Sequence, residues 1–350
     1  MASQDNGNER KIRVAVVILN WNGEHFLRKF LPSVVKYNAG FADIIMADNA
    51  SVDGSVSFIR NEYPEIRIIQ NGENGGFAKG YNQALSQIDA DYYVLLNSDI
   101  EVTDQWIEPV IDMMEKDVTI AAAQPKILSY HEPQKFEYAG AAGGYIDQYG
   151  YPFCRGRVFM SVEKDTGQYN DPVEIFWATG ACMFVRAGLF HEAGGLDDDF
   201  FAHMEEIDLC WRFKHMGYKI MYCPESRVYH VGGGSLPRTS SKKTYLNFRN
   251  NATMLYKNLP ASQLTRVFIV RFILDLAAAL KFLIEGHGMS FIAVTRAHIG
   301  FYFSYHKNRK KRELIKHSQV PGIYKGNLVL DHYVFRKHRF TQFSKQKFTR

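Results

Sequence analysis

Residues 200–213 read FFAHMEEIDLCWRF and place three carboxylates, Glu205, Glu206 and Asp208, in one of the most aromatic windows of the chain. Charged side chains are rarely buried unless paired, so acids between Phe201 and Trp211 need a reason. One reason is capping, since an acid in the first turn of a helix gains about 0.3–1 kcal/mol from the helix dipole. The other is proton transfer. Apolar surroundings and neighbouring carboxylates both raise a carboxyl pKa toward neutrality, where the group serves as a general base. Asp208 and Arg212 stand four apart on one helix face and can pair, which leaves Glu205 and Glu206 for other work.

A second set of polar residues is spread over the first hundred positions. Asn20 and Asn22 lie in NWN, Asp48 and Asp53 in DNASVDGS, Asn74, Gly76, Gly80 and Asn82 in NGGFAKGYN, and Asn97 and Asp99 in NSD. Asp48 and Asp53 can accept hydrogen bonds from the N–H of a uracil or thymine and from ribose hydroxyls. The glycines of NGGFAKG allow close backbone approach at a helix start, where N–H groups and the dipole suit an anion or a ring edge. Asp99 follows a buried run and is placed to hold a divalent cation bridging a diphosphate. Mg²⁺ takes only one or two protein carboxylates and leaves its other positions to phosphate and water.

These groups need a frame, and the hydrophobic pattern supplies one. Aliphatic runs at 14–20, 43–49, 66–71 and 91–99 alternate with helical patterns at 23–37, 53–63 and 76–88. Near-continuous apolar strands between helices predict a doubly wound, mostly parallel α/β sheet covered on both faces. In such sheets ligands sit beyond the carboxyl ends of the strands, where all four polar groups fall. No GxGxxG follows the first strand and no GxxxxGK[ST] occurs anywhere, which removes the central feature of dinucleotide-oxidoreductase and P-loop readings.

The whole chain has 350 residues and a net charge of +5, but its last fifty residues hold thirteen Lys and Arg against two Asp and Glu. The first 300 are therefore net acidic. Four cysteines without CxxC spacing read as reduced, buried thiols. The run VFIVRFILDLAAALKFLI at 267–284 contains Arg271, Asp275 and Lys281, all opposite Ile269, Phe272, Ile273, Leu276, Leu280 and Leu283 on a helical wheel. Such a helix either packs its apolar face on its own domain or lies in a membrane interface, helped by the basic tail; the second reading is preferred. The charge also allows a nucleic-acid contact, but no RRM, KH or helix-turn-helix signature accompanies it, and no nucleic-acid partner is expected.

Together VVILNWNG, DNASVDGS, NGGFAKGYNQAL, LLNSDIEV and FFAHMEEIDLCWR, in this order and spacing, resemble the family-2 glycosyltransferases with a GT-A fold, in their bacterial rhamnosyltransferase-like branch. The resemblance covers residues 12–255. It implies inverting transfer of a sugar from a nucleotide diphosphate sugar, dTDP- or UDP-linked with rhamnose among the candidates, to a hydroxyl of a lipid-linked or polysaccharide acceptor. By position, Asn20, Asn22, Asp48, Asp53, Asn74, Gly76, Gly80, Asn82 and Asn97 bind the donor. Asp99 ends a DxD-type motif that here begins with Asn97, and His230 completes the shell of a Mg²⁺ or Mn²⁺ ion. Glu206 is the implied base, with Glu205 as the second choice and Asp208 beside them.

The expected organisation is a flexible segment at 1–11 and a GT-A domain at 12–255, divided into a nucleotide-sugar half at 12–129 and an acceptor half at 130–255. Amphipathic membrane-surface helices follow at 256–305, then a partly loose basic tail at 306–350. The expected setting is cytoplasmic, at the inner face of the cell membrane and against its anionic surface. The alternative is a catalytically silent sugar-nucleotide or glycan-binding module, motivated by Asn97 and by Glu206 in place of the usual Asp.

Overall fold

The aliphatic run of β1 (Val14–Asn20) divides by alternation between two cores, Val14, Val16 and Ile18 facing one and Ala15 and Val17 the other. A strand buried on both faces needs helices on both. The computed structural model, which describes residues 12–38, 40–232 and 240–350, supplies them; the segment 1–11 lies outside the described residues. The first half runs β1, α1 (Glu24–Lys36), β2 (Asp43–Asp48), α2 (Ser55–Glu62), β3 (Arg67–Gln70), α3 (Gly76–Leu85), β4 (Tyr92–Asn97), β5 (Ile100–Val102), α4 (Glu108–Lys116) and β6 (Ile120–Ser129). Helices α1, α2 and α4 cover one face through Leu27, Leu31, Phe58, Ile59, Val110 and Met114, and α3 covers the other through Tyr81, Ala84 and Leu85.

After β6 the strands shorten: β7 (Gly144–Asp147), β8 (Pro152–Cys154), β9 (Arg157–Val158), β10 (Ser161–Val162), β11 (Val173–Ile175) and β12 (Cys182–Arg186). Then come α5 (Ala187–Glu192), α6 (Glu205–His215), β13 (Lys219–His230), α7 (Ser241–Asn258), α8 (Ala261–Ile284), α9 (Gly288–Phe303), α10 (Tyr305–Glu313), β14 (Ile323–Tyr324) and α11 (Leu328–Tyr333). The main sheet has the order β11-β13-β6-β12-β4-β1-β2-β3, with β5 paired to β13. Strands β3, β2, β1 and β4 are parallel, as are β6 and β13, while β12 runs antiparallel between the two groups. This is the GT-A arrangement, a mixed α/β fold around a large, mostly parallel sheet, followed by helices.

A second sheet, β10-β9-β8-β7-β14, takes its last strand from the C-terminal segment. The stretch expected as a partly loose basic tail is thus a built part of the fold. Tyr324, Leu328 and Phe343 are buried, and Phe153 of β8 packs within 6.5 Å of the rings of Tyr324, Phe340, Phe343 and Phe348. Aromatic side chains spaced along the basic sequence anchor it, and the Lys and Arg between them stay in water.

Helix α8 is turned against ordinary amphipathic packing. Its buried side chains are Val267, Arg271, Asp275 and Ala279. Arg271 pairs with Asp275 at 2.9 Å, donates to the Tyr149 carbonyl at 3.1 Å and lies over the Tyr151 ring, while His298 of α9 meets Asp275 at 3.2 Å. Ile269, Phe272, Ile273, Leu276, Leu280 and Leu283 face outward, with Phe272 and Ile273 each 59% exposed. The less favoured of the two sequence readings, an apolar face packed on the protein's own domain, is therefore overturned, because the polar face meets complementary groups on the β7–β8 turn. Among the described residues no helix is long and apolar enough to cross a membrane.

This inversion makes two contrasting predictions for denaturant melts in detergent-free buffer. Arg271→Ala strips Asp275 of its nearest cation and costs about 3–5 kcal/mol. The pair Phe272→Ser and Ile273→Ser stays within about 0.5 kcal/mol of wild type for each change; a large loss there would mean that the outer face is covered in solution.

Candidate active site

The parallel register brings the strand ends side by side. Asn20 pairs across β1 and β2 with Asp48, and Leu19 pairs with Asn97 of β4. The Asn20 carboxamide is fully buried and donates to Ser51 Oγ at 3.1 Å and, at 3.4 Å, to Asp48 Oδ1. Its Oδ1 is buried without a partner and is left to accept from something else. Asp48 Oδ2 accepts from the Ser51 N–H at 3.1 Å. Asn22, at φ +50°, donates its N–H to Ser51 Oγ and accepts the Val52 N–H through Oδ1. The loops after β1 and β2 thereby form one wall.

Asp53 does something different from the ligand contact expected of it. Its two oxygens accept from the Glu24 N–H at 3.0 Å and from the N–H and hydroxyl of Ser55. Burial acts to raise its pKa, and these hydrogen bonds override that and hold it below the ordinary carboxylate value. It fastens the starts of α1 and α2. Asn82 is also engaged elsewhere, donating to the Leu196 carbonyl at 2.7 Å and to Asp198 at 2.6 Å, and accepting the Leu196 N–H. Asn74 Oδ1 accepts from the Gly76 N–H and from Asn49 Nδ2, both at 3.0 Å. Asn49 also holds the Gly76 carbonyl, and a Cβ on Gly80 would lie 3.0 Å from that carboxamide.

The start of α3 is not open to an anion in the way its glycines suggest. The N–H groups of Phe77 and Ala78 converge on the Phe201 carbonyl at 2.5 and 3.3 Å. Gly76 has φ +75°, and a Cβ there would lie 2.3 Å from that carbonyl oxygen. The helix start is a docking point for the loop before α6. That loop holds three non-glycine residues at positive φ, Phe201, His203 and Met204, a costly conformation that persists only where the surroundings enforce it. The fully buried Asn250 of α7 enforces it by donating to the carbonyls of Phe200, Ala202 and His203 at 2.8–2.9 Å.

Helix α6 begins where this loop ends, and its three acids separate. Asp208 is fully buried and saturated, meeting Arg212 at 3.0 Å, Lys257 at 2.9 Å and the Asn258 amide at 2.9 Å. It ties α6 to α7 and is not free for chemistry. Glu205 and Glu206 each keep an Oε2 that is buried and unpartnered. Burial raises the pKa of Glu206 to about 7, and burial with the neighbouring Glu206 raises that of Glu205 well above the ordinary value.

Asp99 and His230 meet because β5 folds back on the end of β13, pairing Ile100 with His230. His230 Nε2 lies 3.2 Å from Asp99 Oδ1, and its Nδ1 lies 3.3 Å from Glu137 Oε2, a carboxylate without a sequence motif to mark it. Burial acts to lower the imidazole pKa, but the two carboxylates override it and push it up to about 10. Among the described residues no three acidic, histidine or cysteine side chains are grouped so as to hold a metal ion by themselves. Asp99 offers a carboxylate, and His230 offers an imidazole nitrogen once a bound cation displaces its proton; the two would fit an ion that takes its remaining positions from a diphosphate.

Cys154 of β8 is buried, and after the effect of burial and of Arg157 its ionisation is opposed by both Glu137 and Glu206. All four cysteines are free and buried. A cavity of about 1310 Å³ elsewhere takes in Asn82, Arg212 and Lys311, but not Asp48, Asp99 or Glu206. Trp177 is buried, with its indole N–H on the Tyr145 carbonyl, and Arg249 donates to the Asp199 carbonyl and the Asn250 carboxamide.

The family model for "Glycosyl transferase family 2" matches residues 15–193, half of the chain. The chain belongs to glycosyl transferase family 2. This glycosyltransferase is 25% identical over 233 residues, 61% of its own length and 75% of the relative's, to the N-acetylglucosaminyl-diphospho-decaprenol L-rhamnosyltransferase of Mycobacterium tuberculosis. It is 23% identical over 228 residues to the rhamnosyltransferase WbbL of Escherichia coli, covering 62% of this chain and 83% of that one. The solved structure of GalNAc-T7 with UDP, GalNAc and Mn²⁺ aligns with a TM-score of 0.59 at 18% identity, over 85% of this chain. The family-2 chain spans only 58% of that structure, and the likeness is one of fold.

The contrast among the three acids is measurable. Asp208→Ala leaves Lys257 and Arg212 without their shared carboxylate and costs about 3–5 kcal/mol. Glu206 acts in the opposite sense. Its folded pKa lies above its unfolded one, so its contribution to stability is complete below about pH 4.5 and is lost as pH rises through about 7. Glu206→Gln is expected to melt with wild type at pH 4 and above it at pH 8; a lower melting point at pH 8 would show that the carboxylate has a structural partner.

Proposed function

We propose that the chain transfers a sugar, with inversion, from a dTDP- or UDP-sugar to a hydroxyl of a lipid-linked or polysaccharide acceptor, as part of surface glycan synthesis. Rhamnose is the sugar in the names of the relatives. The observation that carries this reading is Glu206, a carboxylate with a buried, unpartnered oxygen and a pKa raised to about 7, in the first turn of a helix whose preceding loop is tied to α3.

In this reading Asn20 and Asp48 face the nucleoside, and Asn22, Asp53, Asn74, Gly76 and Gly80 keep that wall in place. Asn82 supports the loop below α6. Asp99, with His230 once deprotonated, would hold Mg²⁺ or Mn²⁺, which would supply neutralisation of charge on the departing diphosphate. Glu137 steadies the imidazole from its other nitrogen. Burial holds both acids toward the protonated form, Glu205 with the added charge of its neighbour, and Glu206 is taken as the base of the pair. Its Oε2 takes the proton of the acceptor hydroxyl as that oxygen attacks the anomeric carbon. Asp208, fully committed to Lys257 and Arg212, anchors the helix that carries the base.

Two tests follow from the acid pair. Because the base must be ionised, kcat/KM falls about tenfold per pH unit below about 7. Glu206→Gln lowers turnover by about 10²–10⁴ while nucleotide binding survives; a mild effect moves the role to Glu205.

The outward apolar face of α8 supports a peripheral membrane setting, as does the exposed end of α9, where Phe303 is 81% exposed. The next helix, α10, is basic along YHKNRKKRE, which suits an anionic headgroup layer. Phe272→Glu with Ile273→Glu should lower binding to anionic vesicles at least about tenfold, each side chain being worth roughly 1.5–3 kcal/mol when buried. Unchanged binding would remove the lipid surface from the proposal.

A further inference from the structure

Two arginines flank Gly156 at the β8–β9 turn, and only one is neutralised. Arg155 pairs with Asp171 and lies over the Tyr169 ring. Arg157 is 5% exposed and has no ion pair among the described residues. Its donors reach the Pro152 carbonyl and the Cys154 sulfur, both at 3.3 Å, and its plane lies 4.7 Å from the Tyr138 ring centroid. Its Nε–H is buried and unpartnered. A buried cation held only by long contacts to neutral acceptors is unfavourable unless something else completes it.

Its position indicates what that is. Arg157 lies over the ring of Tyr138, the residue next to Glu137, whose carboxylate stands behind His230, and it donates to the Cys154 sulfur. It therefore stands on the Glu137 side of the Asp99–His230 pair, in the second sheet rather than the main one. A guanidinium matches phosphoryl oxygens through two parallel N–H donors, and such charge-assisted bonds are stronger than its present contacts. We infer that Arg157 is a binding residue for a phosphoryl oxygen of a diphosphate, meeting it from the acceptor side of the site.

This rests on the transferase reading above, which supplies the two sources of that group, the donor's nucleoside diphosphate and the diphosphate of a lipid-linked acceptor. The test is calorimetric binding of UDP, dTDP and farnesyl diphosphate, with Mn²⁺ present, to wild type, Arg157→Lys and Arg157→Met. Arg157→Met is expected to weaken one class of diphosphate on the order of ten- to a hundredfold, with Arg157→Lys intermediate. Loss confined to UDP or dTDP assigns the donor's diphosphate, and loss confined to farnesyl diphosphate assigns the acceptor's. Wild type that binds none of the three overturns the transferase reading and this inference with it. Binding to wild type that both variants retain within twofold overturns the inference alone. Should Arg157→Met fail to fold, the Arg157 Nε–H resonance of wild type, assigned by its loss in Arg157→Lys, is followed during titration with inorganic pyrophosphate. A shift supports the contact, and a resonance that does not move overturns it.

Discussion

One carbonyl oxygen ties the loop before α6 to the start of α3. Phe201 O accepts the first free N–H groups of α3, and the three residues that follow lead directly to Glu205 and Glu206. Helix α3 begins beyond the carboxyl end of β3, so the bond ties the start of α6, with Glu205 and Glu206, to the sheet edge that carries Asn20 and Asp48. The bond requires a left-handed Phe201 and no side chain on Gly76. Asn250 holds the first requirement from α7, and Asp208 with Lys257 keeps α6 against that same helix. The strain in the loop is borne by hydrogen bonds from α7.

Strand ends were the legible part of the site. Aliphatic runs of defined length fix which residues fall at the carboxyl edge, and parallel register then puts Asn20, Asp48 and Asn97 side by side whatever the loops do. The roles of individual polar residues within the motifs were less legible. Asp53 and Asn82 belong to the expected motifs, yet both spend their oxygens on nearby backbone, because Asn and Asp serve a turn or helix start as readily as a ligand. Glu137 and Arg157 carried no signal at all. They come from a region of two- to four-residue strands whose spatial neighbours are set by pairing far along the chain.

Helix α8 shows a different limit. A helical wheel correctly separates Arg271 and Asp275 from Ile269, Phe272 and Leu276, but periodicity divides a helix without saying which side faces in. That choice was made by the β7–β8 turn, where the Tyr149 carbonyl and the Tyr151 ring and hydroxyl await a cation and an acid. The basic tail is a related case: its charge describes its surface, while four aromatic rings decide where it lies.

The inverted helix also bears on how the protein behaves in concentrated salt. Sulfate and similar excluded ions strengthen contact between apolar surfaces, whereas a buried ion pair is barely screened. On this chain the first effect acts on the outer side of α8 and the second on its attachment to the body. Raising such salt should therefore drive molecules together through that stripe while adding little to the hold of the helix on its own domain, so precipitation would arrive before any gain in rigidity there.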